Sequence, residues 1–278
     1  MKFKIYFFIC LQLLIVHQIN GQAKTGKTTK QPLTIGETVT IHSNILDEDR
    51  ILNIYLPQTY KANATTTYPV IYLLDGSIEE DFIHITGIVQ FGSFSWVNML
   101  PKSIVVGIAN VDRRRDFTYP TTIAQDKKDF PSTGSSKKFI EFIETELQPY
   151  IDANYKVTEE KTIIGQSLGG LLATEILYTT PDLFDNYIIV SPSLWWDNQS
   201  ILKLKPKEHI TEKKIFIGVG KEGDIMERDA KTLFTTLKAN AKENTKLHFK
   251  FFEKQDHGDA LHLAVYKAFE MLFEKQAN

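Results

Sequence analysis

The sequence predicts an α/β fold, a mostly parallel sheet with helices on both faces. Three observations predict it. The chain opens with an antiparallel strand pair and then alternates strands with helices. Two runs, Pro69–Leu74 before an Asp75-Gly76 turn and Ser103–Asn110, are apolar without alternation, as strands buried on both faces must be. A third short strand, Lys161–Ile164, runs straight into Gly165-Gln166-Ser167-Leu168-Gly169-Gly170 and then into the apolar helix Leu171–Tyr178.

Taken in order, the elements begin after an export signal. Lys2 and Lys4 precede the apolar stretch Ile5–Val16 and the small polar residues Asn20–Ala23, which reads as a signal peptide over residues 1–22. The expected location is therefore the periplasm or the cell exterior. An uncleaved anchor is the alternative, opposed by the shortness of the run. The single cysteine, Cys10, lies inside it, so the mature chain would have neither a disulfide nor a thiolate. Residues 23–34 are rich in Lys, Thr, Gln and Gly and read as a solvated linker before one domain over 35–278. A formal charge of -2, with Arg113-Arg114-Arg115 as an isolated basic triplet, gives no reason to expect nucleic acid as a partner. No stable membrane span is expected once the signal is removed.

Thr38–Ser43 and Ile51–Leu56 alternate polar and apolar residues around Asp47-Glu48-Asp49, a hairpin at a sheet edge. Between the two buried strands, Phe82, Ile85, Ile88 and Val89 fall at helical spacing. Residues 111–135 break the rhythm with charges and prolines and read as a long loop. Helix resumes over Lys137–Leu147, with Ser135 or Ser136 as its cap. Strands Asn186–Val190, Lys214–Val219 and Lys246–Glu253 follow, with helices Ile225–Ala239 and Asp259–Lys275. About eight strands, with the Gly-x-Ser-x-Gly turn after the fifth, match an α/β-hydrolase fold.

That turn carries the chemistry. A serine on a tight strand-to-helix reversal needs neighbours with almost no side chain, and the reversal lifts its hydroxyl above the sheet. The first helical amides, starting with that of Leu168, then face the same spot and can hold an oxyanion. Ser167 needs a base, and His257 is the histidine on a loop after the last strand, in Gln255-Asp256-His257-Gly258-Asp259. An acid should lie on the loop Gly220–Asp224, with Glu222 preferred for its nearness to the strand end and Asp224 as the alternative. The second oxyanion donor is expected on Asp75-Gly76-Ser77, from the amide of Gly76 or Ser77. Arg113 and Arg114 are candidate contacts for a substrate carboxylate or phenolate, unless Asp112 and Asp116 engage these arginines. Trp195 and Trp196 are candidate stacking surfaces, one of them expected in the core.

Tyr72–Gly76, Val106–Asn110, Arg113–Thr118, Gly165–Gly170 and Ser191–Trp196 resemble the esterase D / enterochelin-esterase group of α/β-hydrolases, from about residue 35 to the C-terminus. The resemblance implies Ser167 as nucleophile, His257 as base and an acid near Glu222. It also implies an ester substrate, which in that group ranges from siderophore trilactones to feruloyl and acetyl esters of polysaccharides. The signal peptide and the cysteine-free mature chain argue against the cytosolic formylglutathione role. The expectation is an exported serine esterase with no cofactor and no metal, since spacing such as His-x-x-x-His is absent from the sequence. An acyltransferase of the same fold and a non-catalytic ligand-binding homologue are the alternatives.

Overall fold

The computed structural model describes residues 29–273, so the expected signal peptide over 1–22, Cys10 and the first part of the linker lie outside the described residues. The chain divides between Thr34 and Ile35. Residues 29–34 carry no regular secondary structure.

From residue 35 the strands are β1 (Gly36–Ser43), β2 (Glu48–Tyr55), β3 (Tyr68–Leu73), β4 (Ile104–Ile108), β5 (Val157–Gln166), β6 (Asn186–Val190), β7 (Lys214–Gly220) and β8 (Lys246–Phe252). The helices are α1 (Phe82–Gly92), α2 (Arg113–Phe117), α3 (Ala124–Asp129), α4 (Ser136–Phe142), α5 (Gln148–Asn154), α6 (Leu168–Thr179), the single turn α7 (Trp196–Gln199), α8 (Asp224–Asn240) and α9 (Ala260–Leu272). All eight strands form one sheet in the order β1-β2-β4-β3-β5-β6-β7-β8. The pairs β1–β2 and β2–β4 are antiparallel, and every other pair is parallel. This is the eight-stranded, mostly parallel α/β-hydrolase sheet that the sequence predicts.

The period of two explains how unbroken apolar runs serve two cores. Val70, Tyr72 and Leu74, with Ile163, Tyr187 and Ile189, face the layer holding α4, α6 and α8. Their neighbours Ile71, Leu73, Ile164, Ile188 and Val190 face the opposite layer, where α1 and α9 pack. A helix covers each face, so each strand carries apolar side chains on both sides. All the parallel strands point their carboxyl ends to one edge, and the loops leaving that edge meet there.

Two elements depart from expectation. The helix expected to end at Leu147 continues to Asn154 through a π-helical stretch at Ile143–Leu147. Pro149 has no N–H to give the carbonyl of Thr145, and the wider turn just before it accommodates that gap. Neither serine caps the helix with its side chain, since Ser135 makes no side-chain cap bond and Ser136 Oγ donates to Glu175 Oε1 at 3.0 Å.

The second departure is the 111–135 segment, which is ordered rather than open. Asp112 caps α2 by accepting the Arg115 amide at 3.0 Å. Arg115 grips Glu48 and Asp116, and the fully buried Arg50 bonds Asp116 Oδ2 at 2.8 Å and Glu48 Oε1 at 2.7 Å. Phe117, fully buried, plugs into the core beside Phe139. Arg50, Arg115, Glu48 and Asp116 therefore neutralise one another in a single network, with Asp116 engaging one arginine of the triplet.

Candidate active site

Five loops at the carboxyl edge build the site. They leave β3 (Asp75–Ser77), β5 (Ser167), β6 (Ser191–Ser193), β7 (Glu222) and β8 (His257). Ser167 sits between β5 and α6 at φ 60° and ψ -119°, a left-handed conformation that costs a non-glycine residue of order 1–3 kcal/mol. The two glycines that flank it differ: a Cβ on Gly169 would meet nothing nearer than 3.4 Å, whereas Gly165 has no room for one. A Cβ on Gly165 would stand 2.4 Å from Gly169 O, and the only relief would be to move backbone. The close approach of the elbow strand to the first turn of α6, which holds the serine proud of the sheet, therefore depends on glycine at 165.

His257 and Glu222 come together across 35 residues of chain. His257 Nδ1 is 2.5 Å from Glu222 Oε2. The carboxylate is fixed on its other oxygen as well, because Ser191 Oγ and the Gly220 amide, the latter at 2.9 Å, both donate to Oε1. Glu222 has only 2% of its side chain exposed, whereas His257 exposes 48%. Burial pushes the Glu222 carboxyl up, but the bonds from His257, Ser191 and Gly220 outweigh it and leave it below the ordinary glutamate range. The site thus has an ionised acceptor behind the ring and an open face on the ring itself. Gln166, next to the serine, donates from Nε2 to His257 O at 2.6 Å and ties the histidine loop to the elbow.

Ser167 Oγ is 3.2 Å from Ser193 Oγ, and in this conformation it makes no hydrogen bond to His257. The Ser193 amide in turn donates to Ser167 O at 2.9 Å. Asp224 makes neither a hydrogen bond nor an ion pair with the histidine, whose Nδ1 is taken by Glu222. That aspartate is exposed and starts α8, while Glu227 accepts the amides of Glu222 and Gly223 at 3.1 and 3.0 Å and shapes the acid's loop.

Leu168 is the first residue of α6, where the backbone N–H has no partner within the helix. Of the two residues expected to supply the second donor, Gly76 is corrected. Its N–H is spent on Ile108 O at 3.0 Å, extending the β3–β4 ladder by one step. Ser77 remains, its amide resting at 3.4 Å on the Glu80 carboxylate, a contact long enough to yield to a better acceptor.

The candidate substrate contacts separate. Arg113 lies beside the elbow but is bound bidentately to Asp75, through Nε at 2.6 Å and Nη2 at 2.9 Å. Arg114 is exposed and lays its guanidinium over the Phe130 ring at 4.9 Å. Trp195 is half-buried. Trp196 is corrected as a stacking surface, because it is 1% exposed and its Nε1 donates to Tyr119 O at 2.9 Å. It anchors the loop that Trp195 borders. Sequence reasoning passed over Ser191, Asn53 and Asp75. Ser191 had a signal, since it leaves β6 between the serine's strand and the acid's strand, at φ 44°. Asn53, whose Nδ2 donates to Gly76 O at 2.9 Å, lies far off in β2 and had none.

Comparison with known proteins agrees with this fold. Residues 43–269 match the Esterase family. The ferri-bacillibactin esterase BesA of Bacillus subtilis is 28% identical over 270 residues, covering 88% of this chain and 92% of BesA. The BES protein from Bacillus cereus superposes with a TM-score of 0.77 at 28% identity, over 89% of this chain and 98% of that one. An IroE-like serine hydrolase from Shewanella oneidensis also gives 0.77 at 28% identity, over 84% of this chain and 79% of that one.

Proposed function

The chain belongs to the Esterase family, in the enterochelin-esterase-like group of the α/β-hydrolases, and on that premise we propose that it hydrolyses carboxylic esters through an acyl-enzyme on Ser167. The observation that carries the reading is the contact between His257 Nδ1 and the buried Glu222 carboxylate, on the same sheet edge as the strained serine.

The steps follow from the positions. Ser167 turns from Ser193 toward His257 as substrate arrives, an adjustment of the kind that unliganded sites commonly require. Its Oγ attacks the ester carbonyl carbon while His257 Nε2 takes the hydroxyl proton. Nδ1–H then donates to Glu222, which stabilises the imidazolium without accepting its proton. The amides of Leu168 and Ser77 hold the oxyanion, each donor contributing roughly a hundred- to a thousandfold in rate. Collapse breaks the bond to the leaving alcohol, which receives the proton from His257. Water repeats the sequence on the acyl-enzyme and releases the acid.

An ester-linked siderophore of the ferri-bacillibactin kind is the substrate class we assign, on the likeness to BesA over most of both chains. The exposed Arg114, on the segment after β4, and the half-buried Trp195, on the loop after β6, are the side chains we assign to its acidic and aromatic groups. Export is part of the proposal and rests on the signal-like residues 1–22. One observation favours a second reading, a fold kept for binding alone: the serine bonds Ser193 in place of His257.

The test is hydrolysis by the chain without residues 1–22, on short p-nitrophenyl esters, a feruloyl ester and a catecholate trilactone, beside Ser167→Ala. Loss of turnover by several orders of magnitude in the variant, with the trilactone as best substrate, is the expected result. Turnover unchanged in Ser167→Ala removes the serine mechanism. Binding of the trilactone with no turnover in the unaltered chain moves the assignment to the binding-only reading.

A further inference from the structure

An oxyanion hole made of two amides from two different loops has a weakness. The Leu168 amide rides on the elbow after β5 and the Ser77 amide on the loop after β3, so their separation depends on whatever ties the two loops together. Arg113 touches both. Its Nε and Nη2 fork onto the carboxylate of Asp75, which immediately precedes Gly76-Ser77. The same Nη2 also donates at 3.2 Å to the carbonyl of Gln166, which immediately precedes Ser167. A planar guanidinium can span two such acceptors in fixed geometry, and a point-charge ammonium cannot.

The surroundings are built to hold this group still. Arg113 opens α2, whose first turn Asp112 caps, and its guanidinium sits 5.6 Å over the ring of the fully buried Phe117. Asp75 is buried and held at φ 54°, a strained turn that lasts only if its side chain is pinned. Asn110 Nδ2 adds a bond to Asp75 Oδ1 at 2.7 Å, and the Asp81 amide donates to Asp75 O at 3.2 Å. Beyond them the strand side is already fixed, by the Gly76 amide on Ile108 O and by Asn53 on Gly76 O. What remains to be set is the distance from this loop to the elbow.

Charge argues the same way. Arg113 faces Asp75, Glu80 and Asp81 together, one cation among three carboxyl groups. Asp81 is raised to about 6, first by burial and then by Asp75 and Glu80, which reflects the local surplus of negative charge. A substrate anion approaching Arg113 would meet that surplus and a fork already occupied.

The geometry points to Arg113 as a positioning residue, a brace that sets the spacing between the Ser77 amide and the elbow carrying Ser167 and Leu168, and not as a contact for the substrate. The inference rests on the serine-hydrolase reading. A displacement of about 1 Å at such a site costs on the order of a hundredfold in rate.

The experiment compares Arg113→Ala, Arg113→Lys, Asp75→Asn and the double variant Arg113→Ala/Asp75→Asn, using p-nitrophenyl acetate and the anionic p-nitrophenyl hemisuccinate. A brace predicts that kcat falls about a hundredfold in Arg113→Ala with KM within about threefold, equally on both esters. It further predicts that the double variant is no worse than either single one, and that Arg113→Lys recovers only part of the rate. Covalent inactivation by a neutral phosphonate should slow in parallel, because it uses the same amides. A loss seen in KM and confined to the anionic ester overturns the brace in favour of substrate binding. Additive losses, or full activity in Arg113→Ala, also overturn it. If Arg113→Ala does not fold, Arg113→Lys and Asp75→Asn decide by the same criteria. Ser167→Ala runs beside them: activity there sinks the hydrolase reading, whereas its loss with Arg113→Ala intact sinks the brace alone.

Discussion

His257 Nδ1 stands 2.5 Å from Glu222 Oε2, while Oε1 of the same carboxylate receives Ser191 Oγ and the Gly220 amide. Both carboxylate oxygens are therefore engaged, Oε2 by the ring and Oε1 by two donors. A carboxylate held so fixes which ring nitrogen carries the proton, and that tautomer leaves Nε2 free to act as a base. Glu222→Gln offers an amide in place of the anion and should lower kcat by about a thousand- to ten-thousandfold, with the fold kept. Steady-state kinetics on a p-nitrophenyl ester checks it, and a loss under tenfold would remove Glu222 from the mechanism. The pH sign is also set. The folded carboxyl lies below its ordinary value, so its contribution to stability is present above about pH 4.3 and is lost as pH falls through the folded value. The stability gap between the unaltered chain and Glu222→Gln should close in that acid window.

Gly165 and Gly87 make a matched pair of tests. A Cβ on Gly165 meets Gly169 O at 2.4 Å and Gly169 C at 2.5 Å, both backbone atoms. Gly165→Ala should therefore cost about 1–3 kcal/mol or more and move Ser167, lowering kcat as well as stability. Gly87 lies inside α1 with nothing within 4 Å of an added Cβ. Gly87→Ala should raise stability by about 0.5–1 kcal/mol and leave kcat unchanged. Urea denaturation and kinetics on both variants separate the two effects.

Arg50 and Asp116 are 0% and 1% exposed and pair at 2.8 Å. Arg50→Met leaves Asp116 with Arg115 alone and strips the Ala109 carbonyl of its donor, so it should destabilise by about 3–5 kcal/mol. Because the two residues share one network, Arg50→Met/Asp116→Leu should lose less than the sum of its single changes. Denaturant midpoints for the three variants give the coupling directly, and strict additivity would deny the network.

What the sequence made legible follows from periodicity and from strict local needs. β6 falls where the apolar run Asn186–Val190 places it, and β7 matches within one residue at each end, because strands buried on two faces write themselves as nearly unbroken apolar stretches; the half-buried edge strand β8 also matches within one residue, on its alternating pattern. Ser167, Glu222 and His257 were readable as residues at strand ends, because a glycine-flanked serine and a loop histidine are local signals. Partner choice was not readable. Arg113 meets Asp75 across 38 positions and Arg50 meets Asp116 across 66, and nothing in a charged triplet tells which arginine turns inward. Nor does a Trp-Trp pair tell which ring is core. That depends on the carbonyl of Tyr119, which waits for the Trp196 indole from another loop. Gly76 and Ser77 were likewise indistinguishable until the β3–β4 ladder claimed the Gly76 amide.

Glu175 supplies a pH test at a group outside the candidate site. It lies on α6 with Oε1 accepting Ser136 Oγ at 3.0 Å and Oε2 buried without a partner. Burial raises its carboxyl to about 7, against a smaller lowering by the Ser136 bond. In the unfolded chain the same group ionises near the ordinary glutamate value of about 4.3. Between those two values the folded state holds a proton that the unfolded state has released, so stability falls as pH rises and levels off above about 7. The whole change is on the order of 3–4 kcal/mol. Glu175→Gln keeps the shape and the acceptor for Ser136 but cannot ionise, and it should flatten this part of the profile. Urea midpoints at pH 5 and pH 7.5 measure it, with the variant gaining on the unaltered chain at the higher pH. Equal shifts in both proteins would mean that the carboxylate finds water or a donor when charged, and that its burial costs nothing.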